Sequence, residues 1–344
     1  MRLGVEAAVV DSTLVPGDVD VSGGRIEAVG LGGRGRGVAV AGLVDLHVHG
    51  FGGVDFAGAD AAGWRTAAEA LAAAGTTSFQ PTFVTAPVAD LEESLRAVPG
   101  AGLAAHVLGC HLEGPFISPR RLGMHPADAR LDPDARALER LLAAGPVTEM
   151  TLAPELPGAH ALVETLVARG VVVSCGHSDA TAAEAHDAFD LGARAVTHLF
   201  NAMRPFAHRD PGLAGAALAR DDVVCELILD GHHVAAEAAA VAWRAAACTA
   251  SVTSATPVEV RGGVARRLDG VLAGSVLSLL DSVRNLVRLG VAVEAAVDAA
   301  SRVPARLLRR PGLGSIAPGC PADVLVLDGD LELVRVLVGG VERT

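Results

Sequence analysis

The sequence predicts an α/β protein: a (β/α)8 TIM-like barrel joined to a small β-sandwich domain built from both chain ends. Three observations carry that expectation. Eight short apolar runs alternate with alanine-rich stretches of helical length through the middle of the chain. The two ends instead hold short alternating segments broken by Pro, Gly and Asp turns. Histidine and glutamate recur at the ends of the apolar runs, where a barrel gathers its reactive groups.

Taken in order, "VEAAVV", "GDVDV" and "RIEAVG" within residues 1–40 read as strands of a small β unit. The Gly/Arg-rich stretch "GLGGRGRGVAVAG" precedes a strand rather than a helix. It therefore reads as a flexible connector and not as a phosphate cradle. The runs that follow are "GLVDLHV", "TTSFQPTFV", "AHVLGCHLE", "TEMTLAPE", "VVVSCGH", "RAVTHLF", "VVCELILD" and "ACTASVTS". Helix candidates between them include "DAAGWRTAAEALAAAG", "DARALERLLAAG", "GAHALVETLVARG", "ATAAEAHDAFDLG" and "VAAEAAAVAWRAAA". Strand–helix alternation implies a parallel sheet, and eight units imply a closed barrel. A doubly wound open sheet is the alternative, and the placing of His and Glu argues against it. The tail "ADVLVLDGDLELVRVLVGGV" returns to the β character of the start. The expected division is residues 42–312 for the barrel and residues 1–41 with 313–344 for the sandwich.

Composition narrows the function. Of 344 residues, 51% are hydrophobic and 20% charged, which makes the chain globular. Aromatics are only 3%, so Val, Leu and Ala must build the core. All 28 basic residues are arginine, and the net charge of −12 argues against nucleic acid as a partner. No apolar run reaches the roughly 18 residues of a membrane span, and "MRLGVEAAVV" is too short and acidic for a signal peptide. Cys110, Cys175, Cys225, Cys248 and Cys320 are scattered and form no CxxC pair. They read as reduced thiols, with Cys175 a packing residue, in a cytoplasmic protein.

The chemistry sits at the run ends. His47 and His49 close the first run in "VDLHVHG", and their i, i+2 spacing on a strand turns both rings to one side. Glu113 closes the third, His177 the fifth and His198 the sixth. Asp230, His232 and His233 follow the seventh. Each signal alone is weak. Five imidazole and carboxylate groups at four strand ends imply a divalent metal site. That donor set suits Zn²⁺, and also Fe, Co or Mn, and one or two ions per chain with Glu113 as the bridge. His106, His160 and His186 read as surface or packing residues, His208 as a loop residue, and His111 as a neighbour of the site. No GxSxG elbow supports a serine triad.

The blocks "AGLVDLHVHG", "HLEGPFISPRRLGMH", "TLAPE", "GHSDAT", "THLFNAMRPFAHRDPG", "DGHHV" and "VLAGSVLSLLDSVRNL" together resemble the N-acetylglucosamine-6-phosphate deacetylases of the amidohydrolase superfamily. The likeness runs from about residue 42 to the "GSIAPGCPADVLVLD" tail, with "HLEGPF" and "THLFNAM" the most specific blocks. It implies metal ligands at His47, His49, Glu113, His177 and His198. It implies sugar-binding positions at His125, Asn201, Ala202 and His233, with His233 also facing the amide carbonyl. Leu272, Ala273 and Gly274 match a substrate-contacting turn. Arg209 matches an arginine that reaches the 6-phosphate across a homodimer interface.

One position departs from the pattern. Where the resembled family ends its eighth strand in a proton-transferring aspartate, this chain reads Thr253, Ser254, Ala255. Serine cannot serve as a general acid–base near neutral pH, and such a group is worth roughly 10²–10⁴-fold. Three outcomes stay open: a deacetylase slowed or rescued by another acid (Asp230, Asp179 or Glu259), a hydrolase for a better leaving group, or a binding paralogue that keeps pocket and metal.

Overall fold

A computed structural model describes residues 1–250, 259–261, 264–266 and 274–343. Eight strands follow the eight apolar runs: β1 Leu43–Val48, β2 Thr76–Val84, β3 Cys110–Glu113, β4 Val147–Leu152, β5 Val172–Cys175, β6 Ala195–Val196, β7 Val224–Leu227 and β8 Ala247–Ala250. Each pairs in parallel with the next in chain order, from β1–β2 to β7–β8. The five helix candidates form, at Ala61–Ala73, Ala135–Ala144, Ala159–Ala168, Ala182–Asp190 and Ala236–Ala245. Local chemistry sets several starts. Asp60 and Asp134 each accept two backbone N–H groups at their helix N-termini, and Thr181 with Glu184 forms a reciprocal capping box.

The strands are buried on both sides, but the two sides differ. Phe79 and Phe83 of β2 join Trp64, Leu71, Leu91 and Leu95 in the apolar layer between sheet and helices. The alternate residues Ser78, Gln80 and Thr82 are just as buried, yet polar. Hydrogen bonds cross between strands on this side. Gln80 Nε2 donates to Thr148 Oγ1 at 2.7 Å, and Thr197 Oγ1 meets Thr151 Oγ1 at 2.7 Å and Ser174 Oγ at 2.6 Å. A polar lumen is uncommon in a fold whose interior is usually filled with branched aliphatics. It is the floor of the site described next.

Both termini build one six-stranded sheet. Its order is Thr13–Pro16, Ala7–Val10, Val38–Ala41, Val324–Leu327, Leu333–Val338 and Val341–Arg343. The hairpin Asp18–Ser22 and Arg25–Leu31 covers one face, closing a small core with Val19, Ile26, Ala39, Val324 and Val326. Leu325 and Leu327 point the other way, into the main apolar cluster of the barrel. Period-two alternation with both faces buried explains why "VLVL" reads as an unbroken apolar run.

Candidate metal centre

The strand ends bring five distant side chains to one point. His47 Nε2 lies 3.5 Å and His49 Nε2 3.6 Å from Glu113 Oε2. On the other side, His177 Nε2 and His198 Nε2 each lie 3.0 Å from Glu113 Oε1. The paired rings also face each other nitrogen to nitrogen, at 3.2 Å for His47–His49 and 3.0 Å for His177–His198. All five residues are buried.

The outer ring nitrogens decide what the inner ones can do. His49 Nδ1 faces Thr82 O at 3.1 Å, His177 Nδ1 faces Arg121 O at 2.9 Å, and His198 Nδ1 faces Asn201 O at 3.1 Å. A carbonyl oxygen only accepts, so each Nδ1 carries the hydrogen and each neutral ring turns a bare Nε2 lone pair inward. His47 Nδ1 donates in the same way to Glu226 Oε2 at 3.0 Å. Lone pairs and a carboxylate therefore converge with no hydrogen between the facing nitrogens. That arrangement fits a cation, and imidazole with carboxylate is the donor set of a divalent transition metal.

The carboxylates that favour a metal cation at this point also favour a proton on His47. Burial, then the neighbouring His47, push His49 down to about 3. Burial works against a charge on His47, but the Glu113 and Glu226 carboxylates outweigh it and push the ring above its ordinary value. Burial would raise Glu113, yet His47 and His125 hold its carboxyl well below the usual range.

His125 lies close enough to be taken for a ligand, with Nε2 3.3 Å from Glu113 Oε2. Its outer nitrogen tells otherwise. The fixed backbone N–H of Thr85 points at Nδ1 from 3.3 Å, with the Thr85 hydroxyl 2.7 Å away. Nδ1 therefore accepts, Nε2 carries the hydrogen, and the ring is a donor toward Glu113 rather than a fifth lone pair.

Local backbone explains the sequence blocks. Gly114 of "HLEGP" has φ +94, and a Cβ there would lie 2.1 Å from Thr85 Oγ1. A Cβ on Gly176 of "CGH" would lie 2.8 Å from both Thr151 Cγ2 and Thr197 Cβ. His177, His198, Phe200 and Ala202 are non-glycine residues with φ of 46, 35, 75 and 47. Such left-handed positions carry strain and gather at working sites.

A cavity of about 230 Å³ opens over these groups. It is lined by all five convergent residues, by His125, Asn201, Ala202, His233 and Gly274, and by Val84, Gly123, Met124 and Ile228. Arg209 is exposed on its loop, is not among the lining residues, and makes no ion pair among the described residues. Ser254, Leu272 and Ala273 lie outside the described residues, as does the Glu259 side chain. Asp179 does not enter the cavity. It is held by Arg120 at 3.2 Å and Arg121 at 2.8 Å. His111 is buried beneath the site, its ring centroid 4.7 Å from that of His47. Its Nδ1 faces Leu46 O and its Nε2 faces Thr151 Oγ1. Sequence reading missed Glu226, although a carboxylate inside the apolar run "VVCELILD" was a signal.

A mononuclear or binuclear His/Glu centre at the C-terminal mouth of a parallel barrel defines a metal-dependent hydrolase of the amidohydrolase type. The amidohydrolase family pattern matches residues 38–342, so the chain belongs to the amidohydrolase family. The particular branch follows from its relatives. The chain is 36% identical over 321 residues to an N-acetylgalactosamine-6-phosphate deacetylase of Escherichia coli O157:H7, covering 86% of this chain and 85% of that one. It is 36% identical over 343 residues to the human N-acetylglucosamine-6-phosphate deacetylase, covering 90% and 83%. Among solved structures it is similar to the Mycobacterium smegmatis N-acetyl-D-glucosamine-6-phosphate deacetylase, an aspartate-to-alanine mutant in complex with N-acetyl-D-glucosamine-6-phosphate. There the TM-score is 0.94 at 33% identity, covering 100% of this chain and 99% of that one.

Proposed function

We propose that this chain removes the acetyl group from an N-acetylated amino-sugar 6-phosphate, giving acetate and the free amine. The observation that carries the reading is the splitting of Glu113. Each of its two oxygens faces its own pair of imidazole lone pairs, inside a cavity that also holds His125, Asn201, Ala202 and His233. His47 and His49 would hold one ion with Glu113 Oε2, and His177 with His198 would hold another with Oε1. Zinc suits this set best, with Fe, Co or Mn as alternatives. When bound, such ions activate water and polarise a carbonyl.

The protein's own groups would do the rest. The Asn201 amide oxygen and the backbone at Ala202 and Gly274 would offer polar contacts for a sugar, with the His125 ring walling the same cavity. Leu272 and Ala273 belong to the same proposed turn. Arg209, exposed on its loop, would serve a second copy of the chain in a homodimer, where its guanidinium would meet the 6-phosphate. Among the described residues no helix is long and apolar enough to cross a membrane.

Acetate release from N-acetylglucosamine 6-phosphate and its galactosamine epimer by the metal-loaded protein tests the reading. Turnover on either sugar supports it. Saturable binding without turnover would favour a second reading, prompted by Ser254, in which the chain is a sugar-phosphate binding paralogue. Ser254→Asp should raise the rate if the pocket is otherwise complete, by up to the roughly 10²–10⁴-fold that a general acid–base supplies.

A further inference from the structure

The proposed reaction needs a proton for the departing amine, and the described residues of the cavity offer few places to keep one. Glu113 and the inner nitrogens of His47, His49, His177 and His198 point at one another, and the His125 Nε2–H is turned to Glu113.

His233 differs from all of these. Its ring lines the cavity, and its Nδ1 lies 2.8 Å from Asp230 Oδ2. Both side chains are 6% exposed. Asp230 Oδ1 accepts the backbone N–H groups of His232 and His233, each at 2.9 Å, so the carboxylate cannot swing away. It acts as an acceptor, Nδ1 carries the hydrogen, and Nε2 is the ring nitrogen left to give or take a proton. Burial would raise the Asp230 carboxyl, but the hydrogen bonds from the His233 ring and the two N–H groups hold it at about 2. Among the described residues, the other charged groups nearby are Glu113 with its imidazoles across the cavity, and Arg288, which lines the adjoining cavity behind Asp230.

The geometry points to His233 as the catalytic proton donor to the leaving amine, with Asp230 as its positioning residue; this rests on the deacetylase reading above. A water oxygen forms the new bond to the acetyl carbon. The C–N bond breaks with its electron pair passing to nitrogen, which takes the proton from His233 Nε2. Of the water's two protons, one restores the imidazolium and the other leaves with acetic acid, which ionises.

A residue that only polarises the carbonyl serves every acyl substrate alike. A proton donor matters only where the leaving group needs a proton. The test therefore compares the 2-acetamido sugar 6-phosphate with its 2-S-acetyl-2-thio counterpart, since a thiol of pKa about 8.5 can leave as thiolate. His233→Asn should cut amide turnover by roughly 10²–10⁴-fold while costing the thioester less than about tenfold. Thioester turnover also reports that the variant is folded and its site assembled. Asp230→Asn removes the charged acceptor that fixes the ring, so kcat on the amide should fall with KM held, while thioester turnover is spared. Equal losses on both substrates, or no loss on the amide, would overturn the assignment. A wild-type protein that cleaves the thioester but not the amide would overturn it too, while leaving the sugar-phosphate site intact. Failure on both substrates would sink the deacetylase reading with it.

Discussion

The two flanks of Glu113 carry the same donors but are built in different ways. On the Oε2 flank, His47 and His49 come from one regular strand, where alternate residues share a face without backbone strain. A buried carboxylate, Glu226, backs the first ring. On the Oε1 flank, His177 and His198 come from two strand ends and both have left-handed backbones. Conformations of that kind cost about 1–3 kcal/mol each and persist only where the surroundings enforce them. Here Ser118 N–H bonds His177 O at 2.9 Å, Asn201 N–H bonds His198 O at 2.9 Å, and Leu199 N–H bonds Glu226 O at 2.8 Å. The reward is closer convergence, 3.0 Å to each nitrogen against 3.5 and 3.6 Å on the other side. One flank takes its geometry from the strand and its orientation from a charge. The other takes both from enforced loops.

Glu113→Gln should have the largest effect, because it acts on both flanks. An amide offers one acceptor and turns N–H hydrogens toward lone pairs, so metal content should fall from about two equivalents to below one. Elemental analysis of the purified variant measures it. His47→Ala should be milder and one-sided, leaving about one equivalent, held by His177 and His198. Unchanged metal content in that variant would break the two-ion reading. Glu226→Leu comes next. It removes the carboxylate behind His47 and should weaken the Oε2 ion by about 10–100-fold while sparing the Oε1 ion. Titration against a chromophoric chelator resolves the two affinities, and equal weakening of both would show that the flanks are not independently supported.

The same comparison explains what was legible beforehand. The HxH pair could be read because strand periodicity alone turns two side chains to one face. All eight barrel strands were legible from apolar runs bounded by Gly, Pro and polar clusters, and five of the helices from alanine-rich spacing. Glu226 and Glu149 were not, since a carboxylate inside an apolar run reveals its partner only once the strands are assembled across the lumen. The donor role of His125 was hidden for a similar reason. Its tautomer depends on Thr85, which is 40 residues away in sequence. The Asp230–His233 pair lay in plain view as "DGHH", but whether the two meet depends on a turn that closes on two backbone N–H groups.

Glu149 gives the smallest and sharpest test of the polar floor beneath the Oε2 flank. It is buried on β4, and neither carboxyl oxygen has a hydrogen-bond partner among the described residues. Burial first, and then the nearby Glu226, push its carboxyl well above the ordinary range, with His47 pulling the other way. The sign of the consequence follows from proton linkage. Above about pH 4.3 the unfolded chain ionises this residue while the folded one keeps its proton, so the folded state loses stability as pH rises. Glu149→Gln keeps the shape and removes the titration. Thermal unfolding should show variant and wild type alike near pH 4, with the variant gaining toward pH 8. Its metal content should be unchanged, in contrast to Glu226→Leu, because Glu149 supports no ligand ring. A stability difference that ignores pH would mean that the folded protein holds Glu149 ionised, and that the floor under His47 carries two charges rather than one.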